Sequence, residues 1–163
     1  MIFYNQRENM AKKRLIYKID HTDCYTYFRI TGDFDAELIS NMLNLKPETS
    51  WNVGDLRKDG KSRYEFSACK FNTCSDYDID VCNQMEKTIE PLLKKVEILK
   101  QIKTTYNVNY YLVVVPKVRY DEPSPCLAPS KQVMKFCVDT DTEIDIDLYV
   151  ACPDDAKDGI PIV

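Results

Sequence analysis

Residues 108–115 read Val-Asn-Tyr-Tyr-Leu-Val-Val-Val, the most apolar run in the chain. A run of this length, rich in β-branched and aromatic residues, is typical of a strand in the middle of a sheet. It is far shorter than the roughly 18 apolar residues that indicate a membrane-spanning helix. We therefore predict a central β-strand here.

Segments on both sides of this run alternate between apolar and polar residues with the period of a strand. In residues 24–31, Phe28 and Ile30 alternate with tyrosines and Arg29. In residues 143–150, aliphatic residues occupy the even positions, and acids and a tyrosine occupy the odd ones. This alternation indicates a sheet with one buried face and one wet face. A further strand is predicted over residues 63–70.

Three segments have the apolar spacing of amphipathic helices. They are residues 36–44, 79–102 and 130–138. Asp33 or Asp35 can cap the first of them. Pro91 interrupts the second, which predicts a kink or a second helix that starts at this proline.

The order of these elements predicts an α+β fold. We expect a two-layer sandwich, in which a mixed or antiparallel sheet carries its helices on one face, with a ferredoxin-like tendency. Residues 23–150 are assigned to a single domain. Residues 1–22 are expected to be a basic, flexible segment, and residues 151–163 a C-terminal tail.

The composition excludes several classes of function. The 163 residues carry 22 Lys and Arg against 26 Asp and Glu, a net charge of −4, which argues against a protein built to hold nucleic acid. His21 is the only histidine, so most histidine-based metal and acid–base chemistry is removed. Residues 1–20 lack the apolar core of a secretory signal, so we expect a cytoplasmic protein without membrane contact.

The seven cysteines are expected to be reduced thiols that mostly pack as small hydrophobes, because their number is odd and none forms a C-x-x-C pair. The chain has only four glycines and no phosphate-binding loop or nucleophile-elbow motif. We therefore predict no cofactor and no metal, and catalysis is the less favoured class. An enzyme that uses Asp33, Asp55 or Tyr149 is the third alternative.

Aromatic and charged side chains on the wet face of the sheet are the first candidate for a binding site. The residues are Tyr25, Tyr27 and Arg29 of the first strand, Tyr111 or Tyr110 beside them, and Asp145, Asp147 and Tyr149. Tyrosine and arginine give a large contact area with a small loss of side-chain entropy. The plainer interpretation is that the tyrosines cover the sheet by cross-strand pairing.

The loop over residues 48–62 is the second candidate. It holds Trp51, the only tryptophan, and Gly54-Asp55, a turn that can frame a pocket. Arg29 with Asp33 or Asp55 would make an ion pair in such a pocket, or a surface pair of little energetic consequence. A lone tryptophan in a small domain is more often a packing residue of the core or its rim, which is the plainer interpretation of Trp51.

The acidic segment over residues 139–147 is the third candidate. Read as a strand, it places alternate acids on one face: Asp139, Asp141, Glu143, Asp145 and Asp147. The interpretations are a solvated strand face and a weak cation site.

Several short motifs carry a resemblance to a known family. Residues 27–33 (Tyr-Phe-Arg-Ile-Thr-Gly-Asp), then Ser50-Trp51 and Gly54-Asp55, and finally residues 144–150 resemble a bacterial family described as domain of unknown function 4279. The resemblance covers about residues 24–150. It implies a small cytoplasmic protein of a bacterium or its phage, and it implies no activity, cofactor or catalytic residue.

We therefore expect a non-enzymatic binding module that binds another protein, of immunity type or from a related conflict system, through its sheet face. An acidic binder suits a basic partner, because charge steers their encounter. The alternative is a protein that sequesters a small ligand or nucleotide signal in a pocket near Arg29, Trp51 and Asp55. Nucleic acid is disfavoured, and a homo-oligomer is left open.

Overall fold

The computed structural model describes residues 19–75 and 80–151. Residues 109–115 of the apolar run lie in its longest strand. The described strands are β1 (Asp23–Gly32), β2 (Thr49–Trp51), β3 (Ser67–Cys74), β4 (Asn109–Arg119), β5 (Thr142–Ile146) and β6 (Tyr149–Ala151). The α-helices are α1 (Ala36–Leu43), α2 (Val81–Ile89), α3 (Val96–Tyr106) and α4 (Lys131–Thr140), and a 3-10 helix, Glu90–Lys95, joins α2 to α3. The predicted α+β fold is confirmed.

The sheet is mixed, with the strand order β2-β3-β1-β4-β5, and β6 pairs with β4 beyond the end of β5. β1 runs antiparallel to both of its neighbours, whereas β5 and β6 run parallel to β4. The ferredoxin-like arrangement needs two split βαβ units. Both are present: β1 and β2, joined by α1, run parallel on either side of β3, and β3 and β4, joined through α2 and α3, run parallel on either side of β1. The ferredoxin-like tendency is therefore followed over β1–β4, and β5 and β6 are added beside β4.

The helices cover one face of the sheet, as predicted. The even-numbered residues of β1, such as Phe28 and Ile30, are fully buried and belong to one hydrophobic core with the helices. The helical members of this core include Ile39, Leu43, Met85, Ile89, Leu99, Ile102 and Phe136. Tyr110 also lies in the core, where its hydroxyl donates a hydrogen bond to the Leu99 carbonyl at 2.8 Å.

A buried polar contact holds β1 against α2. The Thr26 and Thr88 hydroxyls lie 2.7 Å apart, and the Thr26 hydroxyl also donates to the Gln84 carbonyl at 3.1 Å. Because a buried hydroxyl without a partner is costly, this contact favours one placement of β1 over its neighbours. A register irregularity in the β1–β3 pairing lies beside it, where Asn72 adopts a left-handed conformation with φ of 54°.

Pro91 interrupts the long helical segment, as predicted, but the second α-helix does not start there. Pro91 lies in the first turn of the 3-10 helix, and α3 begins at Val96. The strand predicted over residues 63–70 is also shifted, because β3 begins at Ser67.

The acidic segment is only partly a strand, which corrects the prediction for its first two acids. Asp139 lies in the last turn of α4, and Asp141 follows that helix with a left-handed φ of 52°. The reason is that the buried stripe of α4 continues as far as Thr140. Only the acids from Glu143 onward can share a strand face, so the five-carboxylate face does not form.

Pro116 explains why the last predicted strand is divided into β5 and β6. The Asp147 N–H donates to the Val114 carbonyl at 2.9 Å. In a parallel ladder, the carbonyl of Asp147 would then accept from the N–H of residue 116. Proline has no N–H, so the ladder is interrupted at Asp147 and Leu148 and resumes at Tyr149 in the same register.

Three of the cysteines, Cys24, Cys69 and Cys137, are buried as predicted, and burial raises the pKa of each thiol to about 11. Cys126 is exposed, contrary to the general expectation of burial. The predictions for the basic segment up to residue 18 and for the tail after residue 151 lie outside the described residues. Among the helices that the structure describes, none is long and apolar enough to cross a membrane.

Asp35 rather than Asp33 caps α1, since its Oδ1 accepts hydrogen bonds from the backbone N–H of Glu37 at 2.8 Å and of Leu38 at 3.2 Å. We predict that Asp35→Ala lowers the free energy of unfolding by about 1 kcal/mol, measured by urea denaturation. Asp33→Ala is the control, with an expected change within about 0.5 kcal/mol. Equal losses in the two variants would contradict the assignment of the cap.

Candidate functional site

The outer face of the sheet, defined here as the strand side chains that point away from the helices, collects most of the predicted binding residues. Strand register places Tyr27 beside Val113 and Arg29 beside Tyr111. Val113 in turn pairs with Asp145 of β5. Because paired residues share a face, these side chains form one continuous surface across three strands.

Arg29 lies at the centre of this face. Its Nη2 atom is 3.1 Å from Oδ2 of Asp145, and its guanidinium carbon is 4.8 Å from the centroid of the Tyr111 ring. Its Nε atom is buried and has no hydrogen-bond partner among the described residues. The arginine therefore joins three strands.

Two tyrosines of β1 are ordered by lysines. The rings of Tyr25 and Tyr27 stack with centroids 6.2 Å apart. The Lys70 Nζ atom lies 4.3 Å from the Tyr27 centroid, and the Lys117 Nζ atom lies 5.2 Å from the Tyr25 centroid. Cation–π contacts of this geometry hold both partners in place.

The same tyrosines cover the sheet, as the plainer interpretation expected. Val113 and Val115 point to the outer face, yet each is only 2% exposed. Burial raises the pKa of Tyr25 and Tyr27, so their hydroxyls stay protonated at neutral pH. The face is thus an ordered layer of tyrosine over valine.

The acidic border of the outer face lies on the edge strand. The Tyr149 hydroxyl donates to Oδ2 of Asp147 at 2.8 Å. The structure thus brings Asp145, Asp147 and Tyr149 to the same border, next to Arg29. Asp33, in contrast, is exposed in the turn that follows β1.

Trp51 and Asp55 belong to a separate loop structure. The Trp51 ring stacks on Tyr64 with centroids 4.5 Å apart, and its Nε1–H donates to the Phe66 carbonyl at 3.0 Å. The Asp55 carboxylate accepts the backbone N–H of Asn52 at 2.7 Å. Both side chains therefore support the loop itself, and they line a hollow of about 320 Å³ beside α1.

Arg29 lines a different hollow, of about 330 Å³, on the outer face. Its lining residues are Arg29, Thr31, Gly32, Phe66, Asn109 and Tyr111. Neither Trp51 nor Asp55 is among them, so the pocket expected near Arg29, Trp51 and Asp55 is divided between two hollows. Phe66 links the two, because its side chain lines one and its carbonyl bonds to Trp51.

Lys70 and Lys117 are parts of the outer face that the sequence analysis missed. Lys70 pairs with Arg29 across β1 and β3, and Lys117 pairs with Asp23 across β1 and β4. The strand predicted over residues 63–70 already includes Lys70, and alternation from Ala68 places it on this face. Lys117 was missed because the strand prediction stopped at residue 115, before Pro116.

The described residues contain no group of three or more His, Cys, Asp or Glu side chains placed to hold a metal ion. Asp145 is already engaged by Arg29, and Asp139 by Lys135 at 2.7 Å. The acidic segment therefore offers ion pairs rather than a convergent set of carboxylates.

The comparisons with known proteins support the sequence resemblance. The family model described as "Domain of unknown function (DUF4279)" matches residues 22–151, and the chain belongs to this family. The matched range runs from the residue before β1 to the last residue of β6 and so includes the outer face. Searches of curated proteins and of solved structures find no match.

The Arg29–Asp145 pair is expected to be a moderate contributor to stability, because both side chains are partly exposed, at 32% and 44%. A double-mutant cycle with Arg29→Met and Asp145→Asn should give a coupling energy of about 0.5–1 kcal/mol in urea denaturation. The Glu97–Lys100 pair on α3, which is more exposed, is the control, with about 0.3 kcal/mol expected. A coupling no larger than this control would contradict a central role for the pair.

Proposed function

We propose that this chain is a non-enzymatic binding module that holds another protein on the outer face of its sheet. The observation that carries the proposal is the ordered tyrosine layer, in which lysines hold Tyr25 and Tyr27, and Arg29 holds Tyr111. Side chains that are already ordered lose little entropy on binding. Rigid aromatic groups next to an arginine are typical of the residues that dominate the energy of protein interfaces.

The partner is expected to be basic. Glu143, Asp145 and Asp147 lie along one border of the outer face, and the chain carries a net charge of −4. Complementary charge speeds the encounter of two proteins and suppresses wrong partners. An immunity-type role, in which a small acidic protein masks a basic toxin in the cytoplasm of a bacterium or in a phage conflict, fits this chemistry.

The positions of the acid–base candidates favour binding over catalysis. Asp55 is bonded to the backbone of its own loop, Asp33 lies in the turn after β1, and Tyr149 lies on the edge strand. General acid–base catalysis needs such groups to meet within hydrogen-bond reach of one substrate. Their placement on three different elements supports a module without a catalytic step.

Charge reversal tests the protein-binding proposal. We predict that the double variant Asp145→Lys/Asp147→Lys loses capture of the basic partner that native mass spectrometry identifies with the wild-type chain, by at least about tenfold in Kd. Tyr27→Ser should weaken the same complex, because it removes a ring from the centre of the face.

The matched control is Glu37→Lys/Glu90→Lys, which changes the total charge by the same amount on exposed residues of the helical layer. This control should bind the partner within about twofold of wild type. Equal losses in both double variants would show that only net charge matters. Unchanged capture by the outer-face variants would overturn the proposal.

A small anionic ligand, such as a nucleotide signal, is a second candidate, favoured by the hollow beside Arg29. Arg29 lines this hollow together with Thr31 and Asn109 as polar groups and Phe66 and Tyr111 as rings. Arginine with polar donors suits a phosphate or carboxylate, and the rings suit a base. The volume of about 330 Å³ lies at the lower end of ligand sites.

Thermal denaturation with adenosine and guanosine monophosphates, and with inorganic phosphate, tests this candidate. A ligand of the hollow should raise the Tm of wild type and of Trp51→Phe equally, and it should leave Arg29→Ala unchanged. The Trp51→Phe variant is the control, because Trp51 lines the other hollow. No shift for wild type with any of these compounds, or the same shift in all three proteins, would contradict a nucleotide site at Arg29.

A further inference from the structure

The aliphatic side of β5 and β6 is uncovered, although it points toward the helical layer. Ile144, Ile146, Leu148 and Val150 are exposed by 37%, 48%, 52% and 59%. Two adjoining hollows, of about 240 and 400 Å³, run along these side chains and share Leu127. The described helices therefore leave an apolar groove beside this edge of the sheet.

The backbone of the same residues faces the open edge. The Asp147 N–H points to β4, where it bonds to Val114. Successive N–H groups of a strand point to opposite sides, so those of Ile144 and Ile146 point away from β4. No described strand pairs with this side of β5. Residues 142–151 also contain no lysine or proline, which proteins commonly use to guard an open edge.

The acids on the other side of the strand determine which segment can pair with this edge. Glu143, Asp145 and Asp147 alternate with the aliphatic residues. A second copy of this chain would bring its own acids against them, and like charges directly opposite are unfavourable. A segment with basic residues at the same spacing has favourable electrostatic interactions with these acids, whereas a second copy has unfavourable ones.

We propose that the open edge of β5 and β6 accepts an extended segment of a protein partner, in which basic and aliphatic residues alternate. The segment adds a strand to the sheet, with its backbone bonded to Ile144 and Ile146. Its aliphatic side chains enter the groove beside Leu127, and its basic side chains lie opposite the acids. The inference deepens the proposed function, on which it rests, because it defines the segment by which the partner is held.

Synthetic peptides test the inference without the natural partner. The probe is Lys-Val-Lys-Ile-Lys-Val-Lys, and its counterpart is Glu-Val-Glu-Ile-Glu-Val-Glu, each titrated into the full chain by calorimetry. We expect the basic peptide to bind at least about tenfold more tightly than the acidic one. Equal affinities, or no binding of the basic peptide, would overturn the inference.

Ile146→Pro tests the backbone contact, because it removes an N–H that faces the open edge and leaves the bonds to β4 in place. The Kd of the basic peptide should rise at least about tenfold in Ile146→Pro. Ile146→Val is the matched control that keeps the N–H, and its Kd should lie within about twofold of wild type. A second pair of substitutions, Glu143→Lys/Asp147→Lys, should reverse the preference toward the acidic peptide. Binding that is unchanged in Ile146→Pro, or no reversal in the charge variant, would contradict strand addition.

Native mass spectrometry separates this inference from the proposed function and from a second copy at the edge. A wild-type dimer that Ile146→Pro disperses would show that another copy of the chain occupies the edge, and would overturn the inference. Capture of the partner that is lost in Tyr27→Ser but unchanged in Ile146→Pro would overturn the inference and support the proposed function. Binding of the basic peptide without capture of any protein partner would support the inference that the edge accepts a strand, and it would count against the proposed function.

Discussion

The antiparallel pairing of β1 with β4 is the constraint on which the other features depend. It runs without a break from Asp23 opposite Lys117 to Thr31 opposite Asn109. In this register Phe28 and Ile30 enter the core, while Tyr27 and Arg29 reach the outer face. A slip by one residue would exchange the two sets, so the core and the outer face come from one choice of register. The buried Thr26–Thr88 contact supports that choice from the helical side.

The positive and negative side chains of the outer face lie in separate regions. Arg29 on β1, Lys70 on β3 and Lys117 on β4 each lie over a tyrosine ring. The acids lie on the edge strand next to β4. Arg29 and Lys70 are directly opposite each other, and each turns to a different aromatic partner. The repulsion between these two cations is thus offset by contacts with rings, which also order the tyrosines.

Local patterns predicted the α+β class, the central strand and the residues of β1 that face outward, because period-2 alternation depends only on neighbours along the chain. These patterns failed where contacts between residues far apart in the sequence determine the structure. Asp139 and Asp141 keep the spacing of strand acids, but packing of Phe136 and Thr140 continues α4 through Asp139, and Asp141 becomes its C-terminal cap. The exposure of Ile144 was not predictable either, because alternation shows which way a side chain points and not whether a helix covers it. Arg29 and Trp51 were expected in one pocket but line two different hollows, because alternation along a strand does not show how far apart residues of different elements lie.

Pro116 has a consequence for how the molecule opens. Because the ladder is interrupted beside it, Tyr149–Ala151 is attached to β4 by three residue pairs and is separated from β5 by two residues that are not part of a strand. Stability in a protein is distributed over units that open separately, and a short edge segment of this kind opens at a lower free energy than the whole domain. Local opening therefore costs more free energy at β5, which packs next to α4, than at β6. A single substitution at position 116 that restored the N–H would join β5 and β6 into one cooperative strand.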